Sequence, residues 1–453
     1  MISGLYTALS GMNAHRKILD VTAHNVSNQA TPGYRRQRVD LAPSGIGPAA
    51  AVWAGPGSQL QGVDVVDTRR VMDDIAEGRA ARELALTSDA FTMSSSMQRI
   101  EAAFPEPSER GLASQLDAFW SSWGDLANRP DDVTARAAVL GRAENLTQSI
   151  GQAAVDLDKV VETSTERLAR IADEVNDLAG RIAALNQSAA NASAPANDIL
   201  DQRDRLMTEL TQLTGAVARP GDGDQINVDI GGRALISGPF TERVAASGGS
   251  LVWERGGDTV RTPPSEAAAL SRVISDVVPT YRAELDTITA TLVDNVNTLH
   301  TTGYDLDGNT GLNFFDPAGT TAATIALSAD VADQPRALAA GAPAPGVPGP
   351  FDGGMADQLA QLVDSPTGAD ANYRTFVAGL GIDTRDASRR ADTQQMMADQ
   401  AIDDAQSVSG VSLDEEMVNL IQAQRGYEAS ARVLTAIDQM LGTIIERTGL
   451  VGR

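Results

Sequence analysis

The 453 residues are enough for two or more domains with a substantial core. They carry a formal net charge of −24 and a pI near 4.4, which sets the chain against phosphate backbones and anionic lipid heads as partners. There is no cysteine, which excludes disulfides, thiolate metal sites and a cysteine nucleophile, and only 4% of residues are aromatic, which suits helices packed through small side chains. The first residues are amphipathic rather than a basic stretch before an apolar run, and no apolar run of ~18 residues occurs, so neither a conventional secretory signal nor a membrane span is expected.

Residues 1–41 open with Ile2, Leu5, Leu9, Met12, Arg16, Leu19, Ala23 and Val26, spaced alternately by three and four, a heptad seam that Arg16 interrupts. Asn25, Asn28, Thr31 and Pro32-Gly33 predict its end, because proline denies helical geometry to its predecessor and glycine frees the backbone. A linker rich in glycine and proline follows at 42–58, then a short strand at Val63–Val66 and a helix over Thr68–Phe104 closed by Pro105 and Pro107. The strongest periodicity is central: Leu157, Val161, Ser164, Leu168, Ile171, Val175, Leu178, Ile182 and Leu185 keep the same alternation, as in a bundle or coiled-coil rod. After a loop at Asn191–Asn197, a helix over Ile199–Leu213 stops at Gly215, completing a first bundle segment at 42–215.

Residues 216–262 change period. Ile226, Val228 and Ile230 alternate before Gly231-Gly232, the pattern of a small β-rich insertion. The bundle resumes at 263–302 with Tyr281, Leu285, Ile288, Leu292, Val296 and Leu299 on one face. Residues 303–352 read as a Gly/Pro-rich loop region, 353–408 as the last bundle helices, and 409–453 as a C-terminal helix. That helix carries Leu413, Met417, Leu420, Gln424, Tyr427, Ala431, Leu434, Leu441 and Ile444 in three-four steps, with Ile437 widening the stripe. Two amphipathic end helices most simply bury each other. The expected fold is therefore mainly α, a long-helix bundle whose N- and C-terminal helices pair as a coiled coil, with a small β insertion.

Nothing points to catalysis. The three histidines, His15, His24 and His300, fall in no metal-binding spacing, and no P-loop, G-x-S-x-G or dinucleotide fingerprint occurs in the right context. Asp305, Asp307, Asn309, Asn313 and Asp316 occupy EF-hand-like positions, but Thr310 replaces the obligatory glycine and Asp316 the bidentate glutamate, so the stretch reads as a polar turn. No catalytic, cofactor or metal residue is expected.

The stretch Ala8–Gln37, with Asn25-Val26, Asn28, Gly33-Tyr34 and Arg35-Arg36, resembles the N-terminal signature of bacterial flagellar axial proteins of rod, hook and hook-associated type. Pro107–Leu140, with Phe119-Trp120 and Trp123, is similar to the helical domain of hook-associated members, as are Ala196–Leu213, Val296–Asp316 and Ser409–Ile445. The resemblance implies a non-enzymatic structural protein, an axial adaptor ring joining hook to flagellin filament. A hook or distal-rod protein of the same family is the alternative. It further implies a homo-oligomer in a helical axial assembly, export by the flagellar type III apparatus from a transient cytoplasmic stage, and a final location in the external flagellum. Hook protein, the next hook-associated protein and filament components are the implied neighbours, and a cytoplasmic export chaperone the implied carrier, with neither nucleic acid nor membrane insertion. Leu5, Leu9, Met12, Leu19 and Val26 are expected to pack with Leu413, Met417, Leu420, Tyr427, Leu434 and Leu441. Leu420, Tyr427, Leu434 and Leu441 would bind the chaperone by resemblance. Arg35, Arg36 and Arg38, basic on an acidic chain, are expected to meet carboxylates of neighbouring subunits.

Overall fold

The computed structural model describes residues 2–44, 62–192, 196–342 and 352–448. Most of the linker read at 42–58, part of the loop at Asn191–Asn197 and most of the Pro-Gly tract ending at Pro350 lie outside these residues, as does the Ile2 side chain. The chain divides into two compact units. One comprises Met1–Ala85, Val175–Arg243 and Gln395–Arg453, the other Leu86–Glu174 and Val244–Gln394.

In the first unit, α1 (Ile2–Asn28) closes where proline and glycine foretold, with the Thr31 amide bonded to the Asn28 carbonyl at 2.9 Å. The chain then enters an antiparallel hairpin of β1 (Gln37–Pro43) and β2 (Val63–Arg70), with Gln37 opposite Arg70 and Val39 opposite Thr68. Two expectations are corrected here. Ala42 and Pro43 belong to a strand rather than a linker, and Thr68–Arg70 continue β2 instead of starting a helix. Helix α2 (Asp74–Ala102) begins only where the Asp73 carboxylate accepts the amides of Ile75 and Ala76 at 2.9 and 3.2 Å, an N-terminal cap that satisfies two otherwise orphaned donors.

The central stripe belongs to α4 (Val133–Ala190), whose residues from Val175 onward join the first unit together with α5 (Asn197–Thr214). Gly215 ends α5 at φ 67°, the left-handed geometry that glycine tolerates best. Four strands follow in the order β3 (Val217–Pro220), β4 (Ile226–Ile230), β5 (Arg233–Ser237) and β6 (Phe240–Thr241). Asn186 of α4 anchors this sheet, donating to the carbonyls of Ile226 and Gly238 at 2.8 and 2.9 Å. The end of α9 (Ala369–Ser409) and all of α10 (Leu413–Thr448) complete the unit.

The second unit holds α3 (Leu112–Asn128), the start of α4, and a separate hairpin of β7 (Val244–Ser247) and β8 (Ser250–Trp253). The stretch read as one β insertion at 216–262 is thus two sheets in two units. Helix α6 (Glu266–Arg272) passes through a π turn (Val273–Val277) into α7 (Val278–His300), and α8 (Gly354–Ala360) and α9 follow. Phe119, Trp120, Trp123, Phe314 and Phe315 form the aromatic centre of the core, with the Phe119 and Trp120 ring centroids 4.7 Å apart.

Residues 303–342 are irregular, as expected of a loop region, yet they are core: Phe314, Phe315, Val331, Leu338 and Ala340 are fully buried. Their backbone finds partners on α7. Asn297 accepts the amides of Phe314 and Phe315 and donates to the Phe315 carbonyl, all at 2.9 Å. Fully buried His300 donates from Nδ1 to the Leu312 carbonyl at 2.7 Å and accepts the Ala339 amide on Nε2 at 2.9 Å. These partners fix a neutral ring, and burial pulls its pKa down to about 4. In the EF-hand-like stretch, Asp305 accepts the amides of Asp307 and Asn309 at 2.8 and 2.7 Å, and Asp307 pairs with Arg336. Its carboxylates close a turn.

Candidate assembly interface

The terminal helices α1 and α10 pack antiparallel in the first unit. A Cβ on Gly4 would lie 3.2 Å from Ile437, one on Gly11 3.1 Å from Ser430 Oγ, and one on Gly426 2.3 Å from the His15 ring. Asn25 donates to Glu416 Oε2 at 2.9 Å. The register is constant, since each step forward on α1 is matched by an equal step back on α10.

The seam on α1 is therefore Gly4, Ala8, Gly11, His15, Ile18, Thr22 and Asn25, again in alternating fours and threes. It is the expected heptad displaced by one residue, a rotation of about 100° around the helix. Leu5, Met12, Leu19 and Val26 are only half-buried, and Leu9 is 38% exposed. On α10 the buried line runs through Glu416, Ala423 and Ile437. Leu420, Leu434 and Leu441 flank it half-buried, while Leu413, Met417 and Tyr427 are 44%, 52% and 36% exposed. The expected packing of the large apolar stripes on each other is corrected. Gly4, Ala8, Gly11 and Gly426 let the two helix backbones approach closely, and the larger seam residues fit against them, Ile437 over Gly4 and His15 over Gly426. A repeat of Gly4, Ala8 and Gly11 at that spacing was the available signal.

The motif after α1 forms a dense polar junction. Asn25 is 1% exposed and uses its whole amide. Its Nδ2 donates to the Gln37 carbonyl and Glu416, and its Oδ1 accepts the Gln37 amide at 2.9 Å and Tyr34 Oη at 2.7 Å. Burial, then the carboxylates of Asp198, Asp201 and Glu416, raise the Tyr34 pKa, so the phenol stays a donor. Asn28 instead turns back on its own helix, donating to the His24 carbonyl at 3.0 Å. Gly33 has φ 73°, and a Cβ there would come within 2.5 Å of the Arg205 side chain, so both conformation and space require glycine.

Arg35 donates to both Glu77 oxygens at 3.1 and 2.9 Å and to Asp204 at 2.7 Å. Arg70 joins it on Asp201 and Asp204 at 2.9 and 2.7 Å. Burial alone would lower the Arg35 pKa, but its bond to Glu77 and the charges of Asp204, Glu77 and Asp201 outweigh it and leave the pKa raised. Arg36 pairs with Glu415 and Arg38 with Asp40. Within one chain, α5 places Asp201 and Asp204 on one face, so Arg35 is already answered by the chain's own carboxylates. Arg70, Glu77, Asp201 and Asp204 were not foreseen.

Among the described residues, no group of His, Cys, Asp or Glu could hold a metal ion, and no helix is long and apolar enough to cross a membrane. The arrangement positions helices.

Comparison with known proteins agrees with this geometry. Residues 97–315 match the model of the flagellar hook-associated protein FlgK helical domain. Residues 5–35 match that of the flagella basal body rod protein, and 404–447 the flagellar basal body rod FlgEFG protein C-terminal model. The chain is 26% identical to flagellar hook-associated protein 1 of Bacillus subtilis, covering 99% of both chains. It is 28% identical to that of Salmonella typhimurium, over 75% of this chain but 65% of the relative's length. The solved structure of the flagellar hook junction protein FlgK from Burkholderia pseudomallei superposes with a TM-score of 0.64 at 15% identity, covering 73% of this chain and all of that one.

Proposed function

We propose that the chain is a flagellar hook-associated protein, a structural component at the hook junction rather than an enzyme, and that it forms the axial adaptor ring between hook and filament. In this reading, it leaves the cytoplasm through the flagellar type III apparatus and assembles with further copies through α1 and α10. Hook protein lies on one side of the ring, and the next junction protein and filament on the other. A cytoplasmic chaperone covers the α10 stripe, including Leu420, Tyr427, Leu434 and Leu441, until export.

One observation carries the reading. The small-residue seam satisfies α1 and α10 within one chain, while the stripe of Leu9, Leu413, Met417 and Tyr427 stays exposed beside it. Neighbouring copies would cover that stripe and gain the burial that the monomer forgoes. The rod models match only the two terminal segments, whereas the helical domain match supports the hook-associated assignment over a rod protein.

The test is complementation of a strain lacking the chain with Leu9→Asp or Met417→Asp. Both side chains are exposed, so the purified variants should melt within about 1 °C of the parent. The cells should nevertheless carry bare hooks and shed filament protein into the medium. Normal filament numbers on those hooks would refute assembly through this stripe, and loss of the hooks themselves would favour the rod or hook reading.

A further inference from the structure

In the second unit, α2, the π turn with α7, and α9 leave an elongated groove of about 840 Å³. Its floor is apolar and buried, made by Met97, Ile288, Phe376 and Leu380. Its walls stay low because small residues line them, Ala90 on α2, Thr280 and Thr287 on α7, and Thr375 and Gly379 on α9. A Cβ on Gly379 would meet nothing within 4 Å. Helix α9 lines the groove from Asn372 to Arg390 in three-four steps, a span of ~27 Å, or about five helical turns.

The rim is acidic. Arg272 neutralises Asp89, and Asp276, Glu284, Asp383 and Asp386 outnumber the two further guanidinium groups beside them, Arg390 in the lining and Arg389 on Asp386. Tyr281 Oη donates to Asp383 at 2.8 Å and fixes that carboxylate, while Arg389 pairs with Asp386. The π turn supplies Asp276 and Val277 to the lining, the kind of helix irregularity that recurs where a surface is used.

We propose that this groove docks a cationic amphipathic helix of a different protein. Apolar side chains one turn apart would lie over the floor, and flanking lysines or arginines would meet the rim carboxylates. A second copy of this chain is the poorer occupant, because its acidic excess would set like charge against like. The site involves neither terminal helix, so it stands or falls separately from the assembly reading.

The test titrates the full chain into three labelled helical peptides of about five turns, at ~150 mM salt so that long-range attraction is screened. One has leucine at floor spacing and lysine elsewhere, one replaces lysine by glutamate, and one keeps lysine but scrambles the leucines. The first should bind at least ~10-fold tighter than the others. Gly379→Trp and Thr375→Trp, both on the open wall, should each weaken it by a similar factor without lowering the melting temperature, and Glu284→Lys with Asp386→Lys should transfer the preference to the glutamate peptide. Equal binding of the scrambled peptide, or indifference to both tryptophans, would mean general attraction to an acidic surface and overturn the proposal. So would absence of binding, or self-association of the chain that Gly379→Trp abolishes.

Discussion

His300 illustrates what single side chains contribute to this molecule. Its ring donates to one backbone carbonyl and accepts one backbone amide of an irregular segment that has few ladder partners of its own. The folded ring titrates near pH 4 because burial disfavours its charged form, whereas an unfolded histidine titrates near 6.5. As pH falls through that window, the unfolded chain takes up a proton that the folded chain refuses, so stability is lost between about 6.5 and 4, by on the order of 3 kcal/mol. Denaturant melts at pH 7 and 5 should show this loss, and His300→Gln should start less stable but vary less across the interval. An unchanged slope in that variant would place the acid sensitivity elsewhere. The sequence marks such residues unevenly. Asn25 and Gly33 stand out as punctuation, but the Glu416 that Asn25 holds is 391 positions away, and no local pattern names it.

Among the elements, α1 and α10 are legible in period and misleading in phase. Three-four spacing identifies both helices, and the eye assigns the seam to the largest apolar residues. The structure puts glycine, alanine and serine there because close backbone approach exposes each helix to many more van der Waals contacts than a splayed leucine pair would. The difference has a measurable form. Gly426→Ala drives a Cβ into the His15 ring and should destabilise the helix pair by about 1–3 kcal/mol. Gly442→Ala, later in the same helix and with nothing within 4 Å of the added carbon, should stabilise it by up to about 1 kcal/mol through helix propensity alone. Thermal melts of the two variants should therefore move in opposite directions. Strand β1 and the full length of β2 escaped the sequence pattern because a two-stranded, half-exposed hairpin has no buried face to impose a clean alternation.

At the scale of the molecule, the class was legible: long helices and a minor β component. The division into units was not, since one unit gathers three separated stretches of chain and the other two. Deleting 409–453 removes α10 and with it the seam partner of α1 and the Glu416 carboxylate. Hydrogen exchange on the truncated chain should show lost protection in α1 and the β1–β2 hairpin, with protection retained around Phe119, Trp123 and Phe314. Persistent protection of α1 would mean that it is held by contacts other than the seam. The pairing of Gly4 with Ile437 also sets an order of events. Helix α1 is made first and must wait for nearly the whole chain before its partner exists, so closing that contact carries a large loop-closure cost and falls late in folding. Because α10 is made after nearly all the rest, its synthesis fixes the earliest moment at which α1 can close, which makes the last helix a timer for the first.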